Sequence, residues 1–218
     1  MKITQLKYIS LFLLISILIL SLTIGCKKKV LEFSIEGIVT DQTFQTGLAG
    51  AQITIQEIPP GATTVSTTVG SAILGSDGKY SFTFSRKIAE GYRITITKPN
   101  YFTIDQTIPF NDFSTEKPIS KNFETKAHAW VKVRVVNLPP ASQTDGIEYV
   151  RLQGKANCTT CFPQGNQLLF GLVDSTNYYI NDGNSPFELY YFVTGTSNQG
   201  SKLVTTTAFD TTEIVLDF

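Results

Sequence analysis

From Phe33 onward the chain is built of short stretches in which apolar and polar residues alternate. Ala51–Glu57 sets Ala51, Ile53 and Ile55 against Gln52, Thr54 and Gln56. Phe33–Val39 alternates in the same way, Lys79–Ser85 puts Tyr80, Phe82 and Phe84 on one side, and Tyr92–Lys98 does so with Tyr92, Ile94 and Ile96. A period of two, rich in Ile, Val, Thr and aromatics, predicts strands with one buried face. Further strands are predicted at Val65–Leu74, Tyr101–Ile108, Ala129–Val135, Tyr149–Gln153, Leu168–Val173, Phe187–Thr194, Lys202–Thr207 and Glu213–Phe218. Convincing 3.6-residue periodicity is absent from this region. The pattern predicts an all-β chain of two consecutive antiparallel β-sandwiches, residues 33–126 and 127–218, with the boundary near Glu124–His128.

Turn chemistry supplies the punctuation. Gly75-Ser76-Asp77-Gly78 lies between two alternating runs. Glycine tolerates positive φ and aspartate bonds nearby backbone, so a tight hairpin is expected there, making Val65–Leu74 and Lys79–Ser85 antiparallel neighbours. Pro99-Asn100 is a second turn, because asparagine enters the left-handed region at low cost. Leu138-Pro139-Pro140 ends the strand before it.

Ile35–Asp41, Gly47–Ile55, Ser76–Phe82 and Tyr92–Ile96, taken as a series, resemble the carboxypeptidase regulatory-like domain over residues 33–126. Asn100-Tyr101 stands where that family usually has Gly-Tyr or Gly-Phe. The resemblance implies a transthyretin-like sandwich of about seven strands. It also implies a non-catalytic accessory role, with no catalytic residue to carry over. The second half reads as another Ig- or transthyretin-like sandwich and matches no family pattern.

Everything before Cys26 reads as an address. Lys2 and Lys7 open it, no acidic residue precedes Glu32, and Ile9–Ile24 is apolar apart from Ser10, Ser16, Ser21 and Thr23. This is the layout of a secretory signal, with Gly25 as the small residue before cleavage. A run of this length spans a bilayer only marginally, so an uncleaved anchor is the alternative. Leu22-Thr23-Ile24-Gly25-Cys26 resembles a bacterial lipoprotein signal, with Thr23 where leucine is usual. The resemblance implies removal of residues 1–25 and acylation of Cys26. Residues 26–32 then form a tether, with Lys27–Lys29 beside the headgroups. The implied location is the outer membrane, with the protein lipid-anchored and facing the periplasm or the cell surface, and the membrane is its first partner.

Charge and cysteine usage narrow the remaining possibilities. The chain carries 18 basic and 18 acidic residues. Setting aside Lys2, Lys7 and Lys27–Lys29 leaves 13 basic against 18 acidic, so the folded part is mildly acidic and nucleic acid is not expected as a partner. With Cys26 acylated, Cys158 and Cys161 remain, an even number suited to an oxidising compartment. Phe162-Pro163-Gln164-Gly165 follows them and breaks the helix that a redox-active pair would need, so a loop-closing disulfide is expected. Two thiols and one histidine, His128, cannot make a structural zinc site, and neither a metal nor a cofactor is expected.

Asp145, Asp174, Asp182 and Asp210 read as turn residues. On Phe187–Thr194, Tyr190 and Phe192 fall on the face opposite Phe187, Leu189, Tyr191 and Val193. With Tyr178 or Tyr179 near by, they are the candidate surface for an envelope protein or a glycan. The expected function is that of a non-catalytic surface binding or accessory module. The alternatives are an envelope enzyme using Cys158 or His128, and a small-molecule carrier.

Overall fold

A computed structural model describes residues 30–62 and 67–218. The signal segment, Cys26 and Lys27–Lys29 lie outside the described residues. The first half contains β1 (Glu32–Asp41), β2 (Thr46–Gly47), β3 (Gln52–Ile58), β4 (Thr67–Ile73), β5 (Lys79–Ser85), β6 (Gly91–Thr97), β7 (Ile104–Pro109), β8 (Ile119–Ser120) and β9 (Phe123–Thr125). The second contains β10 (His128–Asn137), β11 (Gly146–Gln153), β12 (Gln167–Phe170), β13 (Val173–Asp182), β14 (Pro186–Val193), β15 (Gln199–Thr205) and β16 (Thr211–Asp217).

In the first half β2-β1-β5, extended by β8 and β9, forms one sheet, and β4-β3-β6-β7 forms the other. The expected inward faces are the buried ones: Ile53 and Ile55 on β3, Ile94 and Ile96 on β6, and Tyr80 and Phe84 on β5. Aromatic rings close one end of this core. Phe33 meets Phe84 and Tyr92 edge-on at 6.3 and 6.2 Å. The Arg86 guanidinium caps the cluster 5.6 Å from the Phe110 ring. Burying each such side chain contributes about 1.5–3 kcal/mol.

The second half pairs β13-β10-β16 against β12-β11-β14-β15. Val131, Val133 and Val135 from β10 meet Ile147, Phe187, Leu189 and Ile214 in a separate core. Each half closes in the same way, its last strand lying parallel to its first: β9 beside β1, and β16 beside β10. All other pairs are antiparallel except β8 with β1. The architecture is therefore two consecutive β-sandwiches whose sheets are antiparallel apart from these closures.

Three expectations change. The Gly75–Gly78 turn forms, with the Gly78 amide donating to Gly75 O at 3.0 Å and Gly78 at φ +67°. It is not a hairpin, because β4 pairs with β3 whereas β5 pairs with β1, so the turn carries the chain between sheets. Hydrogen bonds from Leu74 N to Ala51 O and from Val39 N to Gly78 O hold its two ends to different strands. Secondly, Leu168–Val173 is broken by Gly171 at φ +72°, and Val173 instead begins β13. That ten-residue strand pairs along its whole length with β10, so Asp174 and Asp182 are strand residues rather than loop residues. Thirdly, β7 begins only at Ile104. Tyr101 is diverted into a bridge with Ala127, and its hydroxyl donates to Asp41 Oδ2 at 2.6 Å. The Pro99-Asn100 turn itself is present, with Asn100 at φ 63°.

The halves meet along the short stretch between β9 and β10. The His128 amide donates to Asn100 O at 2.7 Å and the Gly183 amide to Ala127 O at 2.8 Å. Phe209 stacks on Phe44 and tilts against Tyr101, with ring centres 5.8 and 5.5 Å away.

Candidate functional site

The loop between β11 and β12 carries the two cysteines. Cys158 and Cys161 are joined in a disulfide with Cα atoms 5.4 Å apart. The alternative that needs Cys158 as a free reactive thiol is thereby corrected. The residue after the bridge, Phe162, plugs the end of the second core, with its ring 4.4 Å from Tyr179 and 6.0 Å from Phe187. The Arg151 guanidinium lies 5.5 Å from the Phe162 ring centre. The bridge therefore fixes the loop that delivers this plug.

The same loop reaches the junction. Lys155 Nζ lies 2.9 Å from Asp182 Oδ1 and 4.1 Å from the Phe102 ring centre, and Lys126 Nζ lies 3.5 Å from Asp182 Oδ2. A cleft of about 510 Å³ opens here, lined by Phe102, Glu124, Lys126, Lys155, Cys158 and Asp182 among others. His128 is next to this group, its ring 4.3 Å from Phe102 and 6.2 Å from Trp130. Burial, and then the Lys155 charge, hold its pKa below the ordinary 6.5. His128 is thus a packing partner on a central strand. Asp182 is neutralised by two lysines, which suits a latch between the halves better than a reaction centre.

The four candidate aromatics do not form one surface. Tyr178 pairs with Lys132 and points away from the core on the outer face of β13-β10-β16. Tyr179 points the other way, packs on the second core, and has to be removed from the candidate surface. Its hydroxyl hydrogen-bonds with that of Tyr149, whose pKa burial raises well above 10.0. Tyr190 and Phe192 lie on the outer face of β12-β11-β14-β15, across the sandwich from Tyr178.

Tyr190 and Phe192 instead gain neighbours that the sequence reading did not assign to them. Register places Leu168 beside Glu148, Glu148 beside Phe192, and Phe192 beside Gln199. The next row is Val150, Tyr190 and Ser201, and Glu188 leads to Leu203. The Phe170 ring lies over Gly146, where an added Cβ would come within 2.6 Å of it. Leu168, Phe170 and Leu203 are 54, 54 and 60% exposed, and Tyr190 and Phe192 are 36 and 37% exposed. A signal was present in the sequence: Leu168, Phe170, Tyr190 and Phe192 each occupy an alternate position whose neighbours face the core.

The other three outer faces mix polar pairs with apolar residues, which include Ile38 on β1, Ile73 on β4, and Trp130, Tyr178, Ile180 and Val215 on β13-β10-β16. Ser34 and Thr83 hydrogen-bond at 2.9 Å on β1-β5. Gln52 donates to Ser71 at 2.7 Å on β3-β4, and Arg93 pairs with Asp105 on β6-β7. On β13-β10-β16, Lys132 pairs with Glu213 and Arg134 with Asp174, each at 2.9 Å. Among the described residues the outer face of β12-β11-β14-β15 gathers more exposed large apolar side chains than any of the other three, and it is the candidate site.

No family model and no curated protein match this chain. Solved structures give remote likenesses. A streptococcal ancillary pilin is 9% identical with a TM-score of 0.36, over 88% of this chain and 63% of its own. This chain thus spans less than two thirds of that pilin. The minor pilin of Streptococcus agalactiae is 9% identical with a TM-score of 0.33, over 84% of this chain and 94% of its own. A DUF3823 family protein from Parabacteroides merdae is 14% identical with a TM-score of 0.29, over 82% of this chain and 100% of its own. At such values they carry no argument about function. The class the chain defines, a double β-sandwich, rests on its own strand pairing.

Proposed function

We propose that this chain is a non-catalytic binding module of a bacterial envelope, held on the outer membrane by acyl chains on Cys26. Its binding face is the outer surface of β12-β11-β14-β15. The observation that carries this reading is the gathering of Leu168, Phe170, Tyr190, Phe192 and Leu203 on one outer face, whereas the other three interleave their fewer exposed apolar residues with hydrogen-bonded or ion-paired polar ones. A solvated sheet face ordinarily alternates to polar residues, and contiguous exposed apolar area on a folded protein marks an interaction site.

Hydroxyl-radical footprinting of the full lipidated chain, on intact cells and after purification, tests the reading. Tyr190, Phe192 and Leu203 should be protected on cells and labelled in the purified protein, while Tyr178 is labelled in both. Equal labelling of Tyr190 and Tyr178 under both conditions refutes an occupied face.

A further inference from the structure

We infer that the occupant of the β12-β11-β14-β15 face is a different protein that presents an apolar surface fringed with Lys or Arg. This rests on the reading of that sheet as a binding face and goes further by naming the chemistry of the partner. The observations are the composition of the face, its charge, and the pairing already made by its polar groups.

The apolar residues are Leu168, Phe170, Val150, Tyr190, Phe192 and Leu203, drawn from all four strands. Together they expose on the order of 500 Å², enough for the centre of an interface but short of the ~800 Å² that each side of a standard one buries. A partner must therefore cover the rim as well. The charged side chains registered on this face, Glu148 and Glu188, are both carboxylates. A second copy packed face to face would bring carboxylates towards carboxylates with no cation between them, which disfavours self-association. A partner cation at the same place is attracted.

A glycan fits less well. Sugar hydroxyls need hydrogen-bonding groups beside the aromatic platform. Here the Tyr190 hydroxyl donates to Gln199 Oε1 at 3.0 Å, and Glu148 accepts from the Asn166 side-chain amide. Leu168, Val150 and Leu203 offer sugars no polar contact. The same aliphatic side chains suit the desolvated centre of a protein interface, with Tyr190 and Phe192 as anchors.

The test is photocrosslinking on intact cells, with the full lipidated chain carrying a benzophenone amino acid at Leu168, Leu203 or, as control, Tyr178. Leu168 and Leu203 should crosslink to one and the same protein and Tyr178 should not. The crosslinked peptide should combine apolar residues with Lys or Arg. Combining Glu148→Lys with Glu188→Lys should lower the yield about tenfold, given the strength of like-charge repulsion at an interface. Leu203→Asp, on an edge strand, should do the same with the circular dichroism spectrum unchanged. Adducts at twice the chain mass would mean a second copy and overturn the inference. Adducts to glycan or lipid alone, or no adduct while the footprint stays protected, overturn the protein partner and leave the binding module standing. No adduct with an unprotected footprint overturns both. A protein adduct indifferent to charge reversal overturns the basic surface.

Discussion

Replacing Gly37 with alanine puts the architecture of the first sandwich to a quantitative test. Gly37 lies in the middle of β1, where the chain linking β8 to β9 crosses over it. An added Cβ would sit 1.9 Å from Lys121 O and 2.7 Å from Lys121 C. Restoring an ordinary contact of 3.4 Å to that oxygen requires a shift of 1.5 Å (3.4 less 1.9). Three hydrogen bonds pin the crossing against such a shift. Lys121 N donates to Glu36 O at 2.8 Å, the Tyr80 hydroxyl to Lys121 O at 2.6 Å, and Ile38 N to Asn122 Oδ1 at 3.0 Å. At about 1 kcal/mol each, with a further ~1 kcal/mol for a Tyr80 hydroxyl left buried and unpaired, Gly37→Ala should cost ~4 kcal/mol. That is a large part of the ~5–15 kcal/mol that holds a domain folded.

Equilibrium urea unfolding followed by circular dichroism reads the loss. Gly50→Ala is the control: Gly50 has φ +72° and nothing within 4 Å of an added Cβ, so only backbone conformation is penalised, by about 1 kcal/mol. A Gly37→Ala loss below about 1 kcal/mol, or one no larger than that of Gly50→Ala, would refute the steric argument.

Three further outcomes are expected. Phe162→Ala empties the plug of the second core and should destabilise by about 3–5 kcal/mol in the same assay; a near-neutral result would mean that the loop does not seal that core. Tyr149 is held by burial, and then by its bond with Tyr179, above its ordinary 10.0. The unfolded chain loses that proton first, so the contribution is intact below pH 10 and declines as pH rises past it. Ultraviolet difference titration should show this tyrosine ionising late, and Tyr149→Phe should flatten the alkaline fall in stability. For Cys26, globomycin should accumulate a larger precursor, and Cys26→Ser should abolish acyl labelling; an unchanged, unlabelled chain would remove the proposed anchor.

Much of the local structure was legible from alternation. β1, β3, β5 and β6 lie where the period-two pattern puts them because each buries one face, and burial demands that pattern whatever the neighbours are. β13 was not legible. Val173–Asp182 contains Asp, Ser, Thr and Asn on both faces, and it holds its form through ten-residue register with β10 rather than through an apolar stripe. Asp77-Gly78 was legible as a turn but not as a crossover, since a hairpin and an inter-sheet link use the same positive φ at glycine. Adjacent tyrosines 178 and 179 had to face opposite ways, yet their own segment gave no sign of which one faced inward.

The sequence by itself thus determined the strands that bury one apolar face, the turns at Gly75–Gly78 and Pro99-Asn100, and the outward side of Tyr190 and Phe192. Each of these depends on side-chain chemistry within a few residues. Tertiary structure alone decided strand order, the parallel closure of each half, and the gathering of Leu168, Phe170 and Leu203 around Tyr190 and Phe192. Strand pairing is made by backbone N–H and C=O groups that nearly every residue offers alike, so the choice of partner is written in the packing of the whole chain and not in any one strand.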